Sequence, residues 1–343
     1  ISFPTKISAY SISEDNKITK GVILDEDDQE MVFHDFRDPN LSLQRSLSQG
    51  VIISGSELTA MPLVYNHYFM KLNTGGFGIN TRYDVAGFSN DEFMWGNAVQ
   101  SPNENWLKCT YGVTGAKMNK VFLYRANTSG SDPVSWNKIQ EPLFDDASEC
   151  TLCYYQDKLV AITRTEPQSN GLKMRWTYDL EGFSGWSDSV FLPFTGAAPA
   201  VIQYIPKGEP LFLHFSEPDS STGYRMPSFA STYDLVEWTR QSTGQFKNNT
   251  GSGAYGGLVP NGKGSYSVMY YEEVGAVDNV TRVWYGSMGL EGRVYPNDST
   301  VNFMYSQDPT LQKSSLLPSG AACLGSPSDI TRLPQMLNLV ILK

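Results

Sequence analysis

The sequence predicts an all-β fold assembled from a repeated sheet unit, and three observations carry that prediction. Short alternating or aromatic-rich runs are bounded by Gly, Pro, Asn, Asp and Ser; no segment sustains a 3.6-residue apolar period with helix caps; and one turn pattern returns along the chain. The composition agrees. Across 343 residues, 40% apolar and 13% aromatic content is ample for a core and excludes disorder, while a charged fraction of 18% is low for a helical bundle.

The strand-like runs come first. Lys120-Val-Phe-Leu-Tyr-Arg125, Lys158-Leu-Val-Ala-Ile-Thr-Arg164, Leu172-Lys-Met-Arg-Trp-Thr-Tyr178, Pro210-Leu-Phe-Leu-His-Phe215, Ser265-Tyr-Ser-Val-Met-Tyr-Tyr271 and Thr281-Arg-Val-Trp-Tyr285 read as half-buried antiparallel strands. The repeat comes next. Arg82-Tyr-Asp-Val-Ala-Gly-Phe-Ser89 returns as Thr177-Tyr-Asp-Leu-Glu-Gly-Phe-Ser184, its first half returns as Thr232-Tyr-Asp-Leu235, and Leu180-Glu-Gly182 returns as Leu290-Glu-Gly292. With the Asn127–Asp132 turn between the first two, the period is about fifty residues, room for four six-residue strands and their turns. Trp95, Trp136, Trp186 and Trp238 follow these turns, which suits an outer strand whose indole packs on the adjacent unit. An Asp35-Phe-Arg-Asp38-Pro turn leaves space for one more unit. The reading is a six-bladed β-propeller over residues 1–305, with a sandwich or β-helix as the alternatives. Residues 306–343 turn Ser/Leu/Pro-rich and either close the ring or begin a stalk.

Charge and cysteine content narrow the partners. A net charge of −10, from 26 basic and 36 acidic residues, repels phosphate backbones and anionic lipid, so nucleic acid is not expected as a partner. No apolar run is long enough to span a bilayer, and membrane insertion is not expected. Cys150 and Cys153 have the spacing of half a zinc site, but no second pair exists and His34, His67 and His214 are scattered; no metal or other cofactor is expected. The chain opens at Ile1 with no leader, which reads as a fragment or processed product.

A propeller delivers side chains from several inner strands to one central face, so function requires a constellation of residues. Glu149 begins one strand and Arg164 ends its antiparallel neighbour, so both reach the same face. A carboxyl group beside a guanidinium is either a poised acid or base or a structural ion pair. Tyr154 and Tyr155 alternate across the strand, one facing the site as a sugar-stacking platform and the other packing in the core. Glu217, Asp219, Glu237, Glu272 and Glu273 are spare carboxylates, most of which read as solvated loop charges, with Glu217 kept as a candidate substrate contact; no Ser-His-Asp set or phosphate-cradling Gly loop is present.

Asp146-Ala-Ser-Glu149, Tyr154-Tyr155 and Ile162-Thr-Arg164 resemble the bacteriophage endosialidase tailspikes, most strongly over residues 145–164 and by strand texture over 110–290. The resemblance implies a six-bladed sialidase-like propeller in a homotrimeric phage tailspike, located in the virion and acting on a bacterial surface polysaccharide. It implies that Glu149 is the acid/base and that Arg164 holds the sugar carboxylate. That family has a second arginine after a Ser-Glu pair on the next blade; here the stretch reads Ser216-Glu217-Pro218, and Arg225 in Gly223-Tyr-Arg-Met226 is the nearest replacement. Two other readings stand beside it. One is a receptor-binding propeller without catalysis, and the other is a five-bladed glycosidase of the arabinanase or invertase kind, drawing on Ser231-Thr-Tyr-Asp-Leu-Val-Glu-Trp238.

Overall fold

The structure is a computed structural model that describes residues 6–12, 18–33, 36–43, 51–60, 64–73, 76–129, 132–167, 171–201, 203–205, 207–218, 225–240, 252–262, 265–274, 280–289, 302–307, 310–313 and 338–342. Helix among these is limited to one 3₁₀ turn at Gly115–Lys117. Every strand-like run named above lies in a strand, apart from the end residues Tyr178 and Pro210.

Four sheets are unbroken up-and-down meanders, the pattern of a propeller blade. One contains β3 (Phe36–Leu43), β4 (Val51–Ala60), β5 (Val64–Leu72) and β6 (Ile79–Arg82). The next contains β7 (Glu92–Gln100), β8 (Trp106–Gly112), β9 (Lys120–Ser129) and β10 (Asp132–Asp145). The third contains β11 (Ala147–Tyr155), β12 (Lys158–Thr165), β13 (Leu172–Thr177) and β14 (Val190–Phe191), and the last runs through β20 (Ser252–Gly262), β21 (Ser265–Val274), β22 (Val280–Gly289), β23 (Asn302–Gln307) and β24 (Thr310–Lys313). A further sheet, β15 (Ala197–Val201), β17 (Leu211–Pro218), β18 (Arg225–Thr232) and β19 (Thr239–Arg240), is interrupted by β16 (Tyr204–Ile205), which leaves it to pair in parallel with β11. In the remaining three-stranded sheet β1 (Lys6–Ile12) lies between β2 (Ile18–Val22) and β25 (Asn338–Leu342).

Among the described residues the complete blades therefore number four, where six were expected. The cause lies in the turn pattern used as a ruler. Asp179 and Asp234 follow the third strand of their sheets, whereas Asp84 follows β6, a fourth strand, so the three turns are not in phase. What they share is local chemistry. Asp179 accepts the amides of Glu181, Gly182 and Ser184 and the Ser184 hydroxyl, Asp234 those of Val236 and Glu237, and Asp84 that of Ala86. An Asp capping its own turn recurs wherever a loop needs it. The Ser184 hydroxyl and these amides hold the Asp179 carboxyl well below the usual range. The expected turn at residues 35–39 is also different: Asp35 lies outside the described residues and Phe36 onward is strand. Leu290-Glu-Gly292 lies outside them too.

The first strand of each blade is innermost. β7 packs on β3 and β11, β11 on β15, and β15 on β20. Each of these five carries a bulge against its second strand, at Arg37/Asn40, Trp95/Val99, Ser148/Cys150, Ala197/Ala200 and Gly253/Gly256. A bulge sharpens local twist and re-aims a side chain, which a strand crowded around a narrow axis requires.

Blade faces pack as sealed apolar layers. Cys150, Leu152, Tyr154, Leu159 and Ala161 face the β7–β10 blade, and Cys153, Tyr155, Val160 and Ile162 face the β15–β19 sheet. Cys150 and Cys153 thus point to opposite sides. Trp136, on outer strand β10, meets Phe69 of the preceding blade edge-on at 5.1 Å and donates its Nε1–H to the Asp84 carbonyl, as an outer-strand indole should. Trp95 departs from that role, because it sits on inner strand β7 and packs with Ala198 of β15.

Candidate active site

Glu149 is the extra residue of the β11 bulge. Ser148 opposes Arg164 and Cys150 opposes Thr163, leaving Glu149 unpaired in the ladder at φ +29°. That left-handed backbone is uncommon outside glycine and turns the side chain out of the strand's alternation. The Ser148 carbonyl, freed beside the bulge, accepts the Thr163 hydroxyl.

The Glu149 side chain is 7% exposed. Its Oε1 accepts from Arg164 Nη1 at 3.0 Å, and its Oε2 accepts the Ala198 amide at 2.6 Å. Ala198 is itself at the β15 bulge with φ +48°, so two bulged inner strands meet at this carboxyl. On the other side Gly96, φ +69°, brings β7 against the Cys150 carbonyl so closely that a Cβ there would overlap it.

Burial pushes the Glu149 carboxyl above its ordinary pKa, and this outweighs the Arg164 charge, the Ala198 amide and the Arg225 charge, which pull it down. A carboxyl group that retains its proton more strongly than usual, yet is held in one orientation by N–H donors, suits a proton donor.

Arg164, 19% exposed, is the centre of the cluster. Besides Glu149 it pairs through Nε with Glu166 Oε1 at 3.2 Å, and Glu166 Oε1 also accepts the Ser148 hydroxyl at 2.7 Å. Glu166 follows β12 at the cis Glu166–Pro167 bond, its amide tied to the Asp146 carbonyl. Arg225 opens β18 directly opposite Pro218, so the position that lacks the expected arginine has a guanidinium as its cross-strand neighbour. Its charge acts on Glu149.

The structure therefore pairs Glu149 with Arg164 and sets Arg225 near enough for its charge to act on Glu149. The other sequence candidates go elsewhere. Tyr154 is buried and stacks on Tyr204 with ring planes 5° apart; Tyr155 is 1% exposed and donates its hydroxyl to the Tyr233 carbonyl. Both lie at the far end of β11, about 15–20 Å along the strand from Glu149, so neither offers a platform to a sugar there. Glu217 is clamped by both terminal nitrogens of Arg240, at 2.6 and 2.7 Å, and accepts the Ser228 hydroxyl, so its hydrogen bonding goes to the protein. Below the cluster, Asn97 and Gln203 donate to the Val201 and Ala98 carbonyls, and the Gln100 amide donates to the Tyr204 hydroxyl, tying residues 201–205 across the far ends of the inner strands.

Sequence reasoning missed Glu166 and the Ala198 amide. Glu166 was discoverable, since it lies two residues beyond Arg164 and a strand returns to the same face with period two. The Ala198 amide had no signal in the sequence.

No protein-family model and no curated protein matches the chain. Solved structures do. A protein of unknown function from Dyadobacter fermentans aligns with 80% of this chain and 91% of its own at 11% identity, with a TM-score of 0.56. The exo-β-1,3-galactanase of Clostridium thermocellum is 11% identical, covering 82% of this chain and 64% of that one at TM-score 0.55. That of Phanerochaete chrysosporium is also 11% identical, covering 86% and 70% at TM-score 0.53. The class is thereby defined as an all-β propeller of the architecture found among glycoside hydrolases. The likeness is one of fold and gives no support to the endosialidase tailspike assignment.

Proposed function

We propose that the protein is a glycan-binding β-propeller that hydrolyses a glycosidic bond at Glu149, with Arg164 and Arg225 orienting the sugar. The observation that carries this reading is the bulge that takes Glu149 out of the sheet and holds its desolvated carboxyl between the Arg164 guanidinium and the Ala198 amide. Protonated Glu149 gives its proton to the leaving oxygen as positive charge develops at the anomeric carbon. The galactan-degrading enzymes among the similar folds favour a carbohydrate substrate.

The resemblance over residues 145–164 supports a finer reading: the head of a homotrimeric phage tailspike, in the virion, directed at a bacterial surface polysaccharide. Arg225, opposite Pro218, then stands in for the family's second arginine. We read the interrupted β15–β19 sheet as a fifth blade, which also fits a five-bladed glycosidase, and the C-terminal segment as closing the ring because β25 pairs with β1.

The second reading, a receptor-binding propeller without catalysis, is favoured by the occupation of both Glu149 oxygens by protein donors. Release of reducing ends from a panel of neutral and acidic capsular and lipopolysaccharide glycans separates the two. Wild-type release that falls 10²–10⁴-fold in Glu149→Gln is the expected result for a proton donor. Binding without release by either protein supports the receptor reading. Arg164→Ala should weaken glycan binding in both cases, and unchanged affinity removes the site.

A further inference from the structure

We propose that Glu166 is the second carboxyl group of this site, the base that takes a proton from the attacking water while Glu149 protonates the leaving oxygen. The assignment rests on the hydrolase reading above and extends it to the other half of the reaction.

Three observations carry it. First, Glu149 and Glu166 share one guanidinium, at Nη1 and Nε of Arg164. The Nε contact is an ion pair without hydrogen-bond alignment, so the shared guanidinium makes the two carboxyl groups neighbours, and the stereochemistry of the product reads their separation. Acid and base in inverting glycosidases stand ~6.5–9.5 Å apart, leaving room for water, whereas retaining pairs stand at ~5–5.5 Å.

Second, the two carboxyl groups differ in surroundings as the two roles require. Glu149 is 7% exposed with both oxygens held by N–H donors, whereas Glu166 is 21% exposed. The second is therefore the more open to water. Third, Glu166 spends only Oε1 on the protein, accepting the Ser148 hydroxyl and pairing with Arg164, and among the described residues its Oε2 has no hydrogen-bond partner. A carboxylate anchored through one oxygen with the other open to solvent can orient and deprotonate a water. The competing assignment is a strut that merely steadies Arg164, and the experiment distinguishes them.

The step balances without a further reactant. The anomeric carbon–oxygen bond breaks as the Glu149 proton passes to the departing oxygen. The water oxygen bonds to the anomeric carbon, and its proton goes to Glu166 Oε2. Exchange with solvent restores both carboxyl groups, so one water is consumed and nothing is oxidised or reduced.

The test uses the full chain and a glycan from which the wild type releases reducing ends. Glu166→Gln should lower kcat at least 10²-fold with KM changed less than threefold. NMR of the first product should show inverted anomeric configuration. Azide added to Glu166→Ala should restore part of the turnover, a rescue that a strut cannot give, and thermal melts of both variants confirm folding. A variant that keeps kcat within tenfold, a rise in KM in place of a fall in kcat, or a retained anomer would each overturn the assignment while leaving Glu149 standing. Absence of release by the wild type overturns this inference and the hydrolase reading together.

Discussion

Glu149 and His214 are both ionisable and both buried, yet their neighbours give them opposite characters. Glu149 has a guanidinium and an amide to meet its charge, so burial raises its pKa against resistance. His214, on β17, has neither ring nitrogen hydrogen-bonded and lies 5.1 Å from the Phe229 ring, and burial alone pushes its pKa down to about 3. The imidazole is neutral in the folded protein. In the unfolded chain it titrates near 6.5, so below that pH the unfolded state binds the extra proton and stability falls as pH falls, until the folded group also titrates near 3. At pH 5 the loss is about 2 kcal/mol. His214→Leu should therefore remove this slope: the difference in urea-unfolding free energy between variant and wild type should shift in the variant's favour by about that amount from pH 8 to pH 5. A difference that stays constant across this range would mean that His214 is already protonated or solvated in the native state. In the sequence His214 stands within Pro210-Leu-Phe-Leu-His-Phe215, where alternation identifies the strand but not whether the ring finds a partner. Glu149 and Arg164 were legible as a pair because adjacent antiparallel strands bring their opposite ends together. Of Tyr154 and Tyr155 one was expected at the site and one in the core, and both are buried, because a pair of aromatics reads the same way whether it faces a ligand or a neighbouring blade.

At the scale of the element, the bulge rather than the strand makes the site. β7, β11 and β15 are each bulged, and the three irregularities meet: Gly96 lies against Cys150 and Thr151, while the Ala198 amide reaches Glu149. Gly96 is the joint of this contact. It has φ +69°, and an added Cβ would overlap the Cys150 carbonyl and crowd the Thr151 Cα. Both obstacles are backbone, so neither can rotate away. Gly96→Ala should cost about 3 kcal/mol or more, from the left-handed conformation and the displaced strand together. Chemical denaturation measures the cost, and a loss below 0.5 kcal/mol would show that β7 can withdraw from β11 freely. Because β11 carries Glu149 one residue before the contact, glycan binding should weaken as well in the variant that remains folded. The strands were legible throughout, since period-two runs bounded by turn residues have few other solutions. The bulges were not. They arise where inner strands crowd one another, a tertiary demand for which Ser148-Glu-Cys150 and Trp95-Gly-Asn-Ala-Val99 share no residue pattern.

For the whole molecule the question is what joins the first described strand to the last. Repetition was legible, but its count was not, because an Asp-capped turn marks a loop that needs capping and not a fixed place in a blade; Asp84 and Asp179 look alike in sequence and occupy different positions. Closure too was left open between a ring-closing tail and a stalk. The structure pairs β25 with β1 in antiparallel register, Lys6 opposite Leu342 through Tyr10 opposite Asn338, and β25 also packs on β3. The two ends of the chain thus meet in one sheet. Such a junction replaces a covalent link with about five ladder hydrogen bonds, each contributing about 1 kcal/mol net. Deleting residues 338–342 leaves β1 with an unpaired edge beside β3 and removes the tie between the first and last strands. At 2–4 °C per kcal/mol for a large domain, the melting temperature should fall by roughly 10–20 °C, and the exposed edge should raise the tendency to associate. Circular dichroism melts of the truncated and full chains, run at several concentrations beside light scattering, measure both effects. An unchanged melting temperature would show that the β1–β25 pairing adds little to stability. A lowered one with glycan binding intact would show that the Glu149 seam, built from β11, β15 and β18 on the other side of the ring from the junction in chain order, holds its geometry through blade-to-blade packing alone.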